Sequence, residues 1–455
     1  MKVQEREEGK ADTREAVTAD YFEYSKGLFD LGKVFGKPEA LKNIRVVEFG
    51  TLILGPATST FLGQYGAEVI KVELPGGGDT CRSLTPWGQF WKNGALEYIS
   101  LAHNKYHVAI DLHKERGRDL FLELVAKSDV IVENMRAGTL ERKFGIGYRQ
   151  LREVNPRLIY AANSGFGQWG PYSVGRASYD AIAQSVSGLA SITGFPESAP
   201  LKAGIWIGDY YGGLMSAVSI LAAIAYRDRS GKGQFIDLSQ SENLIRALDW
   251  TWVHYGQTGE NRGRYGNRDR AMVPAGVYRC VDGFAAISAP EDTQFRGLAK
   301  AMHRDDLAGD PRYAALEARL VEENADALHE ILKAWAMTKT IEDLEELGRL
   351  HGFGCAGVKN AKDHYHSEHL RERGSVWKVD DPIYGEVVEY GPIPKMSETP
   401  GRIKWAAKPV GWDNERVLSE VLGYDHSEIT QLEMEGIVGK WADVPGRKPP
   451  EGIKG

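Results

Sequence analysis

The sequence predicts an α/β protein: a doubly wound parallel sheet in a large domain, joined to a smaller α+β domain. Three observations predict it. Through the first half of the chain, Val- and Ile-rich runs alternate with segments of helical period. Those runs are continuously apolar, as strands covered by helices on both faces must be. At 455 residues the chain also exceeds what one core usually holds.

The first unit is NIRVVEF (43 to 49), the small-residue helix GPATSTFLGQYG (55 to 66) and the strand AEVIKVE (67 to 73), a βαβ arrangement. It recurs with HVAIDL (107 to 112), the helix ERGRDLFLELVAK (115 to 127), DVIVEN (129 to 134) and RLIYAAN (157 to 163), giving a Rossmann-like sheet. The fingerprint G-x-G-x-x-G is missing from the first strand-helix turn, where GTLILGP stands, so a dinucleotide is not indicated. GGGD (76 to 79), after the second strand, reads as a flexible loop. A long apolar helix beginning in GDYYGG and the strand QFIDLS close this domain. Beyond NRGRYGNRDR, the run AGVYRCVDGFAAIS reads as a hairpin turning at Asp282-Gly283, with helical patterns at 291 to 303, 326 to 337 and 340 to 350. The expected organisation is an N-terminal extension at 1–38, a large domain at 39–258, a small domain at 259–392, and at 393–455 a Pro- and Gly-rich linker with two helices returning to the large domain. Within the extension, YFEYSKGLFDLGKVF patterns as an amphipathic helix lying on the body or on a partner.

Composition excludes several classes. Lys plus Arg total 56 against 63 Asp plus Glu, a net charge of -7 that offers no general attraction for nucleic acid or anionic lipid. The three cysteines, Cys81, Cys280 and Cys355, lack CxxC or CxxH spacing, so neither a disulfide framework nor a zinc site is indicated and a reducing cytoplasm fits. His364, His366 and His369 in DHYHSEH do not share one helical face and read as a surface turn.

The candidate chemistry lies with carboxylates. Asp209, after Gly208 and before a long helix, reads first as an N-cap, yet Trp206, Tyr210 and Tyr211 could exclude water around it and leave a nucleophile. Asp180, in ASYDAIAQ, is again either a cap or a second carboxylate facing the same cleft. No histidine falls between His113 and His254, so the stretch holding both aspartates has no imidazole base. ENMRAGTLERKFGIGY (133 to 148) places Arg136, Arg142 and Lys143 at a strand end, where open sheets bind ligands; a solvated basic face is the alternative. Lys71, Asn104 and Lys105 stand at neighbouring strand ends.

The order VVEFGTLILGPATSTFLGQYGAEVIKVE, HNKYHVAIDL, VIVENMRAGTLERKFGIGY, NPRLIYAANSGFGQWGPY, SYDAIAQSVSGLASITG, GDYYGG, SGKGQFIDLSQSEN and PAGVYRCVDGF resembles the family III CoA-transferases, from about residue 40 to 440. The resemblance implies a CoA-transferase whose nucleophile is Asp209, working through aspartyl anhydride and aspartyl-CoA intermediates, with CoA and acyl-CoA as substrates and no tightly bound cofactor or metal. It implies CoA contacts at Asn134, Met135, Gly138 and Arg142, with Lys71, Asn104 and Lys105 helping the phosphates. Ile53 replaces the glutamine of the formyl-CoA enzymes, and their GGGGQ loop has no counterpart. A pocket of Ile53, Trp206, Tyr210 and Tyr211, with arginines such as Arg264 or Arg268, points to succinyl-CoA as donor and an aromatic or hydroxy-dicarboxylic acid such as benzylsuccinate or malate as acceptor. The resemblance also implies an intertwined homodimer, or a heteromer with a related subunit. The related α-methylacyl-CoA racemases offer an alternative centred on Asp180, although the histidine base upstream of their aspartate is absent here.

Overall fold

In the computed structural model, residues 20–454 are described, and they form two compact units. The first comprises the residues up to Ala183, Ile205–Ala247 and Glu368 onward; the second comprises Gln184–Gly204 and Leu248–Ser367. The first 19 residues of the expected extension lie outside the described part.

The large unit is built on β1 (Arg45–Phe49), α1 (Leu54–Gln64), β2 (Glu68–Glu73), β3 (Lys105–Ala109), α2 (Glu115–Ala126), β4 (Val130–Glu133), α3 (Thr139–Phe144) and β5 (Ile159–Ser164). The start of α4 (Asp180–Ser187), then α5 (Ile207–Ser230), β6 (Gln234–Ser239) and α6 (Gln240–Arg246) complete it. The six strands are all parallel, in the order β3-β2-β1-β4-β5-β6. That order reverses between β1 and β4, which opens a crevice at their C-terminal ends. Val47, Ile70, Val108 and Ile131 face a core shared with Leu120 and Leu124 of α2; Val46, Val69, Val130 and Ile159 face one shared with Ile220 and Ala223 of α5. The continuous apolar runs in the sequence have this cause: both faces of the sheet are covered.

α5 is long and apolar enough to cross a membrane by length and composition. One of its faces is instead buried against the sheet. A buried polar chain fixes it there: Ser216 Oγ donates to Asn163 Oδ1 at 2.9 Å, and Asn163 Nδ2 donates to Thr58 Oγ1 at 3.1 Å.

In the small unit, β7 (Ala275–Arg279), β8 (Phe284–Ser288) and β9 (Gly354–Gly357) form an antiparallel sheet in the order β9-β8-β7. It carries α7 (Asp292–Ala301), α8 (Glu322–Ala336) and α9 (Ile341–His351), packed through Phe295, Leu298, Leu328 and Leu332. The hairpin of β10 (Val376–Asp381) and β11 (Gly385–Tyr390), grouped by sequence with residues 259–392, packs with the large unit through Ile383, Tyr384 and Val387 against Ile99 and Ala406. Val417, Leu418 and the helix α10 (His426–Met434), through Ile429 and Leu432, join the core around α2.

Two buried charge clusters lie under the sheet's C-terminal edge. Glu48 on β1 pairs with Lys71 on β2 and, at 2.7 Å, with Lys105 on β3, and Lys71 also meets Asp79 at 2.8 Å. Glu73 takes both Arg82 Nε and Nη2 at 2.7 Å, with His107 Nδ1 at 3.1 Å. GGGD is therefore no flexible loop. Asp79 is buried and Oδ1 accepts from Thr51 Oγ1, Leu52 N and Cys81 N, each at 2.8 Å, which pins the turn after β1. Burial opposes ionisation of Glu48, but Lys105 and Lys71 outweigh it and hold the carboxyl at about 2. Because the folded value lies below the ordinary 4.5, the stabilisation from Glu48 is fully present above that pH and is lost as the pH falls towards 2. Glu48→Gln leaves the buried Lys105 ammonium without a counter-charge and Lys71 with Asp79 alone, and is expected to cost about 3 to 5 kcal/mol. Denaturant unfolding at pH 7 checks it, and an unchanged midpoint would contradict the assignment.

Candidate active site

α5 begins at Ile207, and Trp206, its cap residue, provides no side-chain cap. Asp209 is not the N-cap of this helix; it lies within the first turn. Capping comes from Asp180, whose Oδ1 accepts the Gly208 N–H at 2.7 Å. Glycine suits this approach, since a Cβ at 208 would stand 3.0 Å from Asp180 Oδ1 and 3.1 Å from Leu244 Cδ1, tight enough that these side chains would have to shift. From the other side, Gln240 Nε2 donates to Asp209 Oδ1 at 2.8 Å. The two aspartates are thus brought together at one helix N-terminus. Burial first, then the neighbouring Asp180, push the Asp209 carboxyl up to about 7, against the lowering effect of Gln240. Among the described residues no ion pair reaches Asp209. A carboxylate so placed is poorly solvated and poorly neutralised, which favours attack on an electrophilic carbon.

The surrounding aromatics divide in role. Tyr210 Oη donates to Glu97 Oε1 at 2.5 Å, and its ring packs on the cluster containing Ile53, Ala57 and Cys81. Ile53 itself is buried in that core. Trp206 stays 39% exposed, and Tyr211 is half-buried. The Gly208 N–H is taken by Asp180 and is not open to a ligand oxygen.

A second group gathers at the switch point. Asn134, just past β4, accepts the Thr51 N–H at 2.8 Å and donates to Thr51 O at 2.7 Å, so it ties the two strand ends across the crevice. Met135 packs on the α2-side core, and Gly138 takes a left-handed φ of 68° as the N-cap of α3. Exposed Arg142 folds onto its own loop, donating to Ala137 O at 2.9 Å and Gly138 O at 3.3 Å. α1 connects both groups. A Cβ at Gly55 would lie 3.0 Å from Asn134, while Leu54 Cδ1 lies where a Cβ at Gly212 would approach to 2.6 Å.

Three expected phosphate contacts are corrected. Lys71 and Lys105 are fully buried and committed to Glu48 and Asp79, so neither ammonium faces a crevice. Burial pulls Lys105 down to about 8, while for Lys71 burial acts the same way but Asp79 and Glu48 overcome it and raise the value. Asn104 is likewise buried, donating to Arg402 O at 2.7 Å and accepting from Lys404 N at 2.7 Å. Arg264 and Arg268 are also engaged, within the small unit: Arg264 Nη2 donates to Ser198 O at 2.8 Å, and Arg268 pairs with Asp326 at 2.6 Å. Among the described residues no group of three or more His, Cys, Asp or Glu could hold a metal ion; His364 and His366 lie on one short helix and His369 on the next.

Sequence reasoning missed Gln240 and Glu97. Gln240 had a signal: it directly follows β6, at the C-terminal edge where open sheets place ligand groups. Glu97 had none, because its partner Tyr210 is distant in sequence.

Comparison with known proteins bears on this site. The profile of CoA-transferase family III matches residues 41–414. The chain is 35% identical over 403 residues to succinyl-CoA–D-citramalate CoA-transferase of Chloroflexus aurantiacus, covering 88% of this chain and 98% of that protein. It is 36% identical over 400 residues to the alpha subunit of succinyl-CoA–L-malate CoA-transferase of the same organism, covering 88% and 92%. A crystal structure of a CAIB/BAIF family protein from Brucella suis superposes with a TM-score of 0.73 at 29% identity, over 84% of this chain and 99% of that one. A parallel sheet whose switch point carries a pinned loop, and a carboxylate nearby in a helix's first turn, accord with these likenesses: the chain belongs to CoA-transferase family III.

Proposed function

We propose that the protein moves CoA from succinyl-CoA to a hydroxy- or aryl-substituted dicarboxylic acid, with Asp209 as the nucleophile. The observation that carries this reading is the setting of Asp209: a carboxylate oriented by Gln240, pressed by Asp180 and partly buried beside Trp206 and Tyr210. The relatives named for succinyl-CoA and citramalate or malate support the substrate class.

The chemistry needs no redox step. A carboxylate oxygen of Asp209 attacks the thioester carbon; the tetrahedral oxyanion collapses, the C–S bond breaks, and the products are a mixed anhydride and CoA thiolate. The thiolate attacks Asp209 Cγ and expels the donor as its free carboxylate, leaving aspartyl-CoA thioester. The acceptor carboxylate attacks this carbonyl and releases thiolate again. Attack of thiolate on the acceptor's acyl carbon then yields the new acyl-CoA and restores Asp209. Asp180 holds the helix N-terminus in place, and the aromatic flanks limit hydrolysis of the anhydride. CoA lies over the switch point, against Met135 and the loop bearing Asn134, Gly138 and Arg142. Exposed Leu214, Val218 and Leu221 on α5 support a second chain covering that face, identical or related, as in a relative named for an alpha subunit. Its three cysteines are free thiols, which supports a cytoplasmic setting.

Incubation with succinyl-CoA followed by hydroxylamine should leave a hydroxamate on the peptide carrying Asp209, and Asp209→Asn should lower transfer by on the order of 10³-fold or more. Peptide mass mapping decides this; a hydroxamate at Asp180 alone would transfer the role there. Since only ionised Asp209 attacks, kcat/KM should rise with pH through a limb near 7. Asp180→Asn keeps an acceptor for Gly208 N–H but removes the charge that raises Asp209, so the limb should move to lower pH. A limb that stays in place in that variant would show that Asp180 does not raise the titrating group, leaving burial as the cause.

A further inference from the structure

In the large unit, at Trp206 and Tyr210 on the first turn of α5, lies a cavity of about 720 Å³, within the range of about 300 to 1,000 Å³ usual for small-molecule sites. Trp206 and Tyr210, which flank Asp209 in the chain, form one wall, and Phe61, Leu84, Leu96 and Leu101 form much of the rest. The ionisable side chains on the lining besides Tyr210 and Tyr390 are Glu97, Glu389 and His103; no Lys or Arg belongs to it.

Their states follow from their partners. Glu389, on β11, is 5% exposed, and its Oε1 has no hydrogen-bond partner. Burial pushes this carboxyl up to about 7, opposed by Ser100 and helped by Glu97. His103 Nε2 lies 3.1 Å from Gln64 Nε2, which can only donate, and its Nδ1 lies 2.5 Å from Ser100 O, which can only accept. The imidazole is therefore neutral with its proton on Nδ1, in keeping with burial that pulls it down to about 4. The walls are apolar, neutral or negative and nowhere positive, so an entering carboxylate would lose water without meeting a cation. An apolar group would instead find a matching surface.

We propose that this cavity holds an uncharged bulky substituent of the acid acceptor, an aryl or branched alkyl group, with the Glu97–Glu389 wall turning away a further carboxylate. The inference rests on the transfer reading and deepens it, because it selects among acceptor classes.

Calorimetric titration of the Asp209→Asn protein with 2-benzylsuccinate, succinate and propane-1,2,3-tricarboxylate tests binding without turnover. Benzylsuccinate should bind at least tenfold more tightly than succinate, and the tricarboxylate no more tightly. Leu96→Trp, at a rim position 48% exposed, should abolish that preference, and Ile205→Trp, at 61% exposed, serves if the first variant does not fold. Equal binding of the three acids, or a preference that survives the filled cavity, overturns the proposal. The wild-type protein with succinyl-CoA and the same acids separates the two readings: if the preference and its loss hold but no acid acquires CoA, the transfer reading fails and the cavity remains a ligand site.

Discussion

The close approach of the α5 N-terminus to everything around it is the constraint on which the site depends. Gly208 lets Asp180 and Gln240 reach the first turn, and Gly212 and Gly213 let α1 lie against the second, where a Cβ at 213 would stand 2.9 Å from Ala57 Cβ. A Cβ at 208 would crowd Asp180 Oδ1 and Leu244, and one at 212 would press on Leu54 Cδ1 of α1. A helix N-terminus offers unsatisfied N–H groups and positive potential, but here one N–H is committed to Asp180, so the local field around Asp209 is set by a second carboxylate as much as by the helix.

A different kind of constraint holds the sheet edge. Glu48, Lys71, Lys105 and Asp79 place two positive and two negative groups in contact without solvent, and the Glu73–Arg82 pair, with His107 against Glu73, lies buried beside them. Such pairs add little net stability over apolar residues of the same shape, yet they are costly to break singly, which makes them effective at fixing one arrangement. What they fix is the turn after β1: Asp79 receives Thr51 and Leu52, with Leu52 held at a left-handed φ of 61°. Asn134 clasps the same turn from β4. The loop at the switch point is thereby rigid before any ligand arrives, which reduces the ordering cost of binding.

The two regions divide the work by dielectric and charge. At the sheet edge, opposite charges lie together and carboxyls are driven to their ionised forms, as Glu48 illustrates. Around α5, carboxyls lie near one another without cations and are driven towards their neutral forms, as Asp209 and Glu389 illustrate. The first pattern makes scaffold and the second makes reactivity or recognition, because a carboxyl with a value near neutrality can change state during a reaction cycle at modest cost.

The sequence by itself determined the architecture. The double-sided apolar strands, the crossover helices between them and the ordered motifs are local properties, read from composition and period, and they carry through to a six-stranded parallel sheet. They also marked Asp209 and Asp180, since a carboxylate beside glycine at the start of a long apolar helix is visible in a few residues. Only the tertiary structure decided which polar residues are available. Lys71, Lys105 and Asn104 occupy strand ends that look open in one dimension, but their side chains turn into the molecule because Glu48, Asp79 and Arg402 arrive there from distant parts of the chain. Gln240 and Glu97 enter the neighbourhood of Asp209 in the same way. The reason is physical: secondary structure follows from interactions a few residues apart, whereas desolvation and charge pairing depend on which segments the packing brings within a few ångströms, and no window of sequence contains that information.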